Sequence, residues 1–247
     1  MKTPKPTLVL LHGFLGNKQD WQPVIQKLGS QFNCLAVNIE VPDMLSEQSL
    51  SFARRCEHLF SRLDQDYAFP ETFSLLGYSM GGRIALCWSH LFSHRITSLI
   101  LESCHPGLTN NAERQQRLSE DSHWHQNFNS GSIENVLEQW YQQPLFSSLS
   151  DDQKHQLIQY RSSVIRRQDL LLLKHFSLGL QADYSILMLA SRTHYICGQR
   201  DSKFQSIGQQ LKSKNGAMHL YQFPESGHNV HLDCSDDYCE LVSTLIN

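Results

Sequence analysis

Gly77-Tyr78-Ser79-Met80-Gly81 sets one serine between two glycines at a spacing that suits a nucleophile. The apolar run before it reads as a strand and the run after Gly82 as a helix. A turn that tight strains the serine backbone, and the glycines remove the Cβ atoms that would clash. The Oγ then stands clear, beside N–H groups at a helix N-terminus that favour negative charge. The N–H of Met80 is one oxyanion donor. The turn His12-Gly13-Phe14, which ends the first apolar run, offers a second through the Phe14 N–H, while His12 itself reads as structural. A serine needs a base, and the base needs an orienting acid, in the chain order Ser, Asp or Glu, His. Asp201 and His228 both follow apolar strand-like runs and fit that order. Asp183 and Asp233 are weaker rivals for the acid, because neither directly follows a strand. His231, three residues after His228, is the rival base.

These residues must be carried by elements that bring them to one place. Short apolar runs at 7–11, 33–39, 73–76, 97–101, 194–197 and 219–223 predict six strands, each apolar on both faces. Stretches with helical spacing, including 51–63, 81–92 and 202–211, fall between them. That alternation predicts a mostly parallel sheet covered by helices on both sides. One interval breaks it. Residues 105–190 are rich in charged and aromatic positions and show helices at 133–141, 151–164 and 169–180 but no clear strand. The expected organisation is a core of 1–104 and 191–247 with a helical cap, 105–190, inserted after the fourth strand.

Composition narrows the classes. The chain has 247 residues, 40% apolar and 18% charged, with a net charge of −3. That excludes a mainly disordered chain and argues against a general nucleic-acid binder. No apolar run is long enough to span a membrane, and the N-terminal residues do not make a signal peptide. Seven scattered cysteines without a Cys-x-x-Cys pair fit reduced thiols and a cytoplasmic location. His228 and His231, and His123 and His125 around Trp124, lack a matching set of carboxylates or cysteines, so no metal and no cofactor are expected.

The elbow 77–83, the strand end 11–16 with Trp21, and the loops Gly198-x-x-Asp201-Ser202-Lys203-Phe204 and Gly227-His228-Asn229-Val230-His231 resemble the α/β-hydrolase superfamily. The inserted segment resembles one family within it more narrowly, the menaquinone-pathway MenH synthases. The motifs Glu102-Ser103-Cys104-His105-Pro106-Gly107-Leu108, Glu113-Arg114-x-x-Arg117, Asp121-x-x-Trp124, Trp140-Tyr141-Gln142-Gln143-Pro144-Leu145-Phe146 and Tyr160-Arg161-Ser162 follow that family's pattern in order. The resemblance covers nearly the whole chain and implies a lyase. Such an enzyme eliminates pyruvate from an enolpyruvyl-bearing cyclohexene carboxylate with a succinyl side chain. It implies Ser79, Asp201 and His228 as the triad, Arg83, Arg117 and Arg161 as ligands of substrate carboxylates, and Tyr78 and Trp140 as pocket lining. Spacing agrees in part. Arg83 lies one helical turn after Ser79, and Arg117 and Arg161 fall in the inserted segment, where forked guanidiniums suit a small substrate with several carboxylates. All three arginines are expected to converge on one cleft.

Two stretches depart from the family pattern. Where it usually reads Asp-Leu-Pro-Gly-His-Gly-x-Ser, this chain has Asn38-Ile39-Glu40-Val41-Pro42-Asp43-Met44. The first strand also begins at residue 7, which leaves no room for the antiparallel hairpin that opens many larger relatives, so six or seven strands are expected. A serine esterase or thioesterase on the same triad competes with the lyase, as does a non-catalytic binding protein of the same fold. The complete Ser79, Asp201 and His228 set argues against the last. The cap arginines and Trp140 separate the first two.

Overall fold

Strand β1 (Thr7–Leu11) is buried along its whole length. A computed structural model describes residues 4–41, 50–186, 192–214 and 218–246. Residues 42–44 of the departing loop lie outside that set. The remaining strands are β2 (Asn33–Val37), β3 (Phe73–Tyr78), β4 (Ile96–Glu102), β5 (Thr193–Gly198) and β6 (His219–Phe223). They form one sheet in the order β2-β1-β3-β4-β5-β6, with every pair parallel.

Successive side chains in a strand point to opposite faces, and β1 shows this directly. Val9 and Leu11 enter an apolar cluster with α2 (Phe52–Tyr67) and α3 (Met80–Leu91). Leu8 and Leu10 enter another with α1 (Gln22–Leu28) and α10 (Ser235–Leu245). Helix α2 begins where the Ser51 side chain accepts the Arg54 N–H, and it buries Phe52, Cys56, Leu59, Phe60 and Leu63 along one stripe. Winding reverses between β1 and β3. Their carboxyl ends therefore open a crevice of the kind where ligands bind in such sheets.

The first and last strands match the expected bounds, and the other four differ from theirs by a residue or two, with a clear cause at β2. That strand stops at Val37 rather than residue 39, because the Ile39 N–H turns to the Nε2 of His12 at 2.9 Å. Between β4 and β5 the chain forms α4 (Asn111–Ser130), α5 (Ile133–Tyr141), α6 (Asp151–Val164) and α7 (Leu172–His175), with no strand among the described residues. Helices α5 and α6 fall where the spacing predicts. The single helix expected at 169–180 is instead a 3-10 turn (Arg167–Leu171), the short α7 and a second 3-10 turn (Leu178–Leu180). Ser177 breaks it: its backbone is extended, and its Oγ accepts the Gly179 N–H to start the last turn.

The inserted helices have a small core of their own around Phe128, Leu137, Tyr141 and Leu170. They lie across the carboxyl ends of the strands. Trp140 meets Phe14, after β1, at 5.2 Å between ring centres, and Phe146 meets the ring of His228, after β6, at 6.4 Å. Among the described residues no helix is long and apolar enough to cross a membrane.

Candidate active site

Ser79 sits between β3 and α3 with φ 52° and ψ −110°, a backbone conformation that side chains other than glycine rarely adopt. The turn is held closed by the Ser79 N–H donating to the carbonyl of Glu102 at 2.9 Å. It is possible only with glycines around it. A Cβ on Gly77 would stand 2.5 Å from the Gly81 carbonyl oxygen, and one on Gly81 would stand 2.4 Å from that of Leu11. Met80 opens α3, so its N–H has no partner inside the helix and is available at the serine. Phe14 lies beside Ser79 in the wall of the same cavity.

His228 Nε2 lies 3.2 Å from Ser79 Oγ, and His228 Nδ1 lies 2.6 Å from Asp201 Oδ2. The acid and the base are buried. Asp201 stands at the start of α8 (Ser202–Lys214), where its Oδ1 accepts the Phe204 N–H at 3.3 Å. The loop carrying His228 is fastened by the Gly227 N–H donating to Asp233 Oδ2 at 2.8 Å.

The rival residues are engaged elsewhere. Asp233 makes that loop contact, Asp183 accepts from the N–H and Oγ of Ser185, and His231 is hydrogen-bonded to Glu102. His12 is buried. It donates from Nδ1 to the Gly13 carbonyl and accepts the Ile39 N–H at Nε2, so it ties the ends of β1 and β2 together. Burial lowers its pKa, which keeps it neutral.

Beside Ser79 a cavity of about 520 Å³ runs under the inserted helices. Arg83, Arg117 and Trp140 line it, as do His105 and Lys203. Arg83 is 8% exposed and has no carboxylate within ion-pair distance among the described residues. It donates to the Phe176 carbonyl at 2.8 Å, with the Gln181 side-chain oxygen at 3.5 Å. Burial, and then the charge of Arg117, pull its pKa down to about 10, so it stays cationic near neutrality. Arg117 donates through Nε to Asp121 at 2.9 Å, its next-turn neighbour on α4. His105 is held neutral at a pKa of about 4, by burial first and then by Lys203, Arg83 and Arg117.

Arg161 does not join this cleft, contrary to the expectation that the three arginines converge. Its guanidinium grips Asp20 with two bonds, at 2.9 and 2.7 Å, because Asp20 in the loop after β1 faces α6. The pair borders a smaller cavity of about 60 Å³ on the other side of Phe14, Trp140 and Leu145, which also reaches Ser79 and His228. Tyr78 lines that smaller cavity rather than the large one, and its hydroxyl donates to the Asn229 side chain. Trp140 borders both. Asp20, Glu102 and Gln181 were not legible as site residues. Each gains its place only through partners more than 70 residues away, and the motif that begins at Glu102 does not report its contact with His231. Among the described residues no group of three or more His, Cys, Asp or Glu is gathered as metal ligands would be, and all seven cysteines are unbridged.

A serine on a strained strand-to-helix turn, hydrogen-bonded to a histidine and an aspartate from later loops of a parallel sheet, defines a class, and the family profile of the alpha/beta hydrolase fold matches residues 66–234. The chain belongs to the α/β-hydrolase fold family and, within it, to the family of the 2-succinyl-6-hydroxy-2,4-cyclohexadiene-1-carboxylate synthases. An Escherichia coli O7:K1 protein of that name is 33% identical over 92% of this chain and 88% of its own. A Haemophilus influenzae protein, provisionally given the same name, is 34% identical over 97% of this chain and 96% of its own. MenH from S. aureus, a solved structure, superposes with a TM-score of 0.83 at 24% identity, over 99% of this chain and 94% of that one.

Proposed function

We propose that this enzyme eliminates pyruvate from 2-succinyl-5-enolpyruvyl-6-hydroxy-3-cyclohexene-1-carboxylate to give 2-succinyl-6-hydroxy-2,4-cyclohexadiene-1-carboxylate, a step of menaquinone biosynthesis. The observation that carries this reading is one cavity that holds both Ser79, bonded to His228, and the buried Arg83, which has no carboxylate partner among the described residues. Burying a guanidinium without a counter-charge is costly, and a bound carboxylate removes that cost. The family relationship supplies the substrate.

The chemistry follows from these groups. The C2 hydrogen of the substrate lies next to the succinyl ketone and is therefore acidic. Ser79 Oγ, relieved of its proton by His228 Nε2, takes that hydrogen. Asp201 holds His228 with Nδ1–H toward it and stabilises the imidazolium. The electron pair from the broken C–H bond moves onto the ketone oxygen, where the N–H groups of Met80 and Phe14 stabilise the enolate. Collapse of the enolate forms C2=C3, shifts the ring double bond to C4=C5 and expels the enolpyruvyl oxygen from C5. The leaving group takes up a proton and becomes pyruvate. No acyl-serine is needed. Arg83, Arg117 and, from the adjoining cavity, Arg161 are the proposed carboxylate ligands, with Tyr78 and Trp140 shaping the walls.

A coupled assay for pyruvate release from this substrate, run beside p-nitrophenyl ester hydrolysis, tests the proposal. Rapid pyruvate release with weak ester turnover is expected. Strong ester turnover with no pyruvate would make the protein an esterase. Neither activity would leave a binding protein.

A further inference from the structure

Behind the serine lies a second buried imidazole–carboxylate pair that the elimination does not use. Glu102, at the end of β4, is 0% exposed, and His231, in the short helix α9 (Val230–Asp233), is 2% exposed. The Glu102 carboxylate accepts the backbone N–H of His231 at 3.1 Å, and Nδ1 of the same residue lies 2.8 and 3.0 Å from its two oxygens. The main chain of Glu102 serves the other partner, since its carbonyl accepts the Ser79 N–H at 2.9 Å. One residue thus binds the strained serine turn through its backbone and the segment after His228 through its side chain.

The surroundings leave the pair little freedom. The His231 ring packs on Trp21 at 4.6 Å and on Tyr78 at 4.9 Å between centres. Tyr78 in turn packs on His228 at 5.3 Å and bonds Asn229, the residue directly after His228. Ser79 and His228 come from loops 149 residues apart, and the 3.2 Å contact between them needs a common anchor. We propose that Glu102 and His231 are a positioning pair that fixes the His228 loop relative to Ser79. The proposal rests on the reading that Ser79 and His228 carry the chemistry.

The test compares Glu102→Ala, Glu102→Gln and His231→Ala with wild type in two assays, pyruvate release and the rate at which a fluorophosphonate probe labels Ser79, followed by intact mass. Misplacing reacting groups by about 1 Å costs roughly a hundredfold, so both alanine variants should lose about ten- to a hundredfold in kcat, with KM little changed and labelling slowed in parallel. Glu102→Gln should fall between, roughly three- to tenfold down, because a neutral oxygen holds the two N–H groups less firmly. Folded variants with kcat and labelling close to wild type would overturn the proposal. So would a loss confined to KM, or a fall in kcat with normal labelling. If the alanine variants do not fold, Glu102→Gln decides by the same criteria. A wild type that labels but releases no pyruvate would sink the proposed reaction, while the labelling rates would still judge the pair. A wild type inert to the probe would overturn both.

Discussion

Ser79→Ala removes the Oγ, and His228→Ala removes the group proposed to take its proton. Each should lower the rate of pyruvate release by orders of magnitude, since an unassisted serine is a weak base and nucleophile. Asp201→Asn keeps the shape but favours the wrong imidazole tautomer. A loss on the order of 10⁴ in kcat is expected from steady-state assays. Arg117→Ala should act differently, because Arg117 lines the cavity beside Arg83 and is proposed to hold a carboxylate rather than to move a proton. Loss of a charged hydrogen bond costs about 1.5–3 kcal/mol, or roughly ten- to a hundredfold in kcat/KM, felt mainly in KM if the contact is equal in ground and transition states. Arg117→Lys should recover only part, since an ammonium cannot fork. An unchanged kcat/KM for Arg117→Ala would remove the arginine from substrate binding. The triad was legible because each member follows a strand in the required order. The separation of Arg161 from the other two arginines was not legible, because its partner, Asp20, lies 141 residues away and no local spacing reports such a contact.

At the scale of elements, the elbow is the tightest constraint. A methyl group on Gly81 would press against the carbonyls of Leu11 and His12, at 2.4 and 2.5 Å. Backbone cannot move aside as a flexible side chain can. Gly81→Ala should therefore cost about 1–3 kcal/mol or more, read as a lower urea midpoint, and should reduce turnover by separating β1 from α3. Strands were legible because the buried sheet demands apolar runs, and all six of them appear where such runs fall. Helix α4 was not read as one element, because it buries little beyond Asp121 and Phe128 and so has no apolar stripe to show. The break in 169–180 was hidden for a related reason. Leu170, Leu172, Leu173 and Phe176 are all buried, so the run looks helical although Ser177 interrupts it.

Across the whole molecule, acid should act through histidines that the fold keeps neutral. His105, His175 and His194 are each lowered from 6.5 to about 4, chiefly by burial, with Lys203, Arg55 and His219 as the next causes respectively. Above pH 6.5 they are neutral in both the folded and unfolded chain. Between 6.5 and about 4 the unfolded chain binds protons that the folded chain does not, so stability falls as pH falls, and this contribution levels off below about 4. Urea unfolding at stepped pH should show that decline, and His105→Gln should make it shallower. A decline of the same steepness in that variant would mean that His105 does not contribute. The parallel pairing of β4 with β5 has a different kind of consequence. Leu99 lies opposite Thr193 and Glu102 opposite Ile196, so the chain leaves one strand at its carboxyl end and re-enters the neighbouring strand at its amino end. The inserted helices belong to one crossover between neighbouring parallel strands, and a crossover can lengthen, shorten or be replaced without moving a strand. Ser79, Asp201, His228, Tyr78 and Arg83 all lie outside it, and Arg117, Trp140 and Arg161 all lie within it. The proposed reacting groups, with Arg83 beside them, and the rest of the proposed recognition set are thus written on separate stretches of the gene, and descent can revise the second while inheriting the first intact.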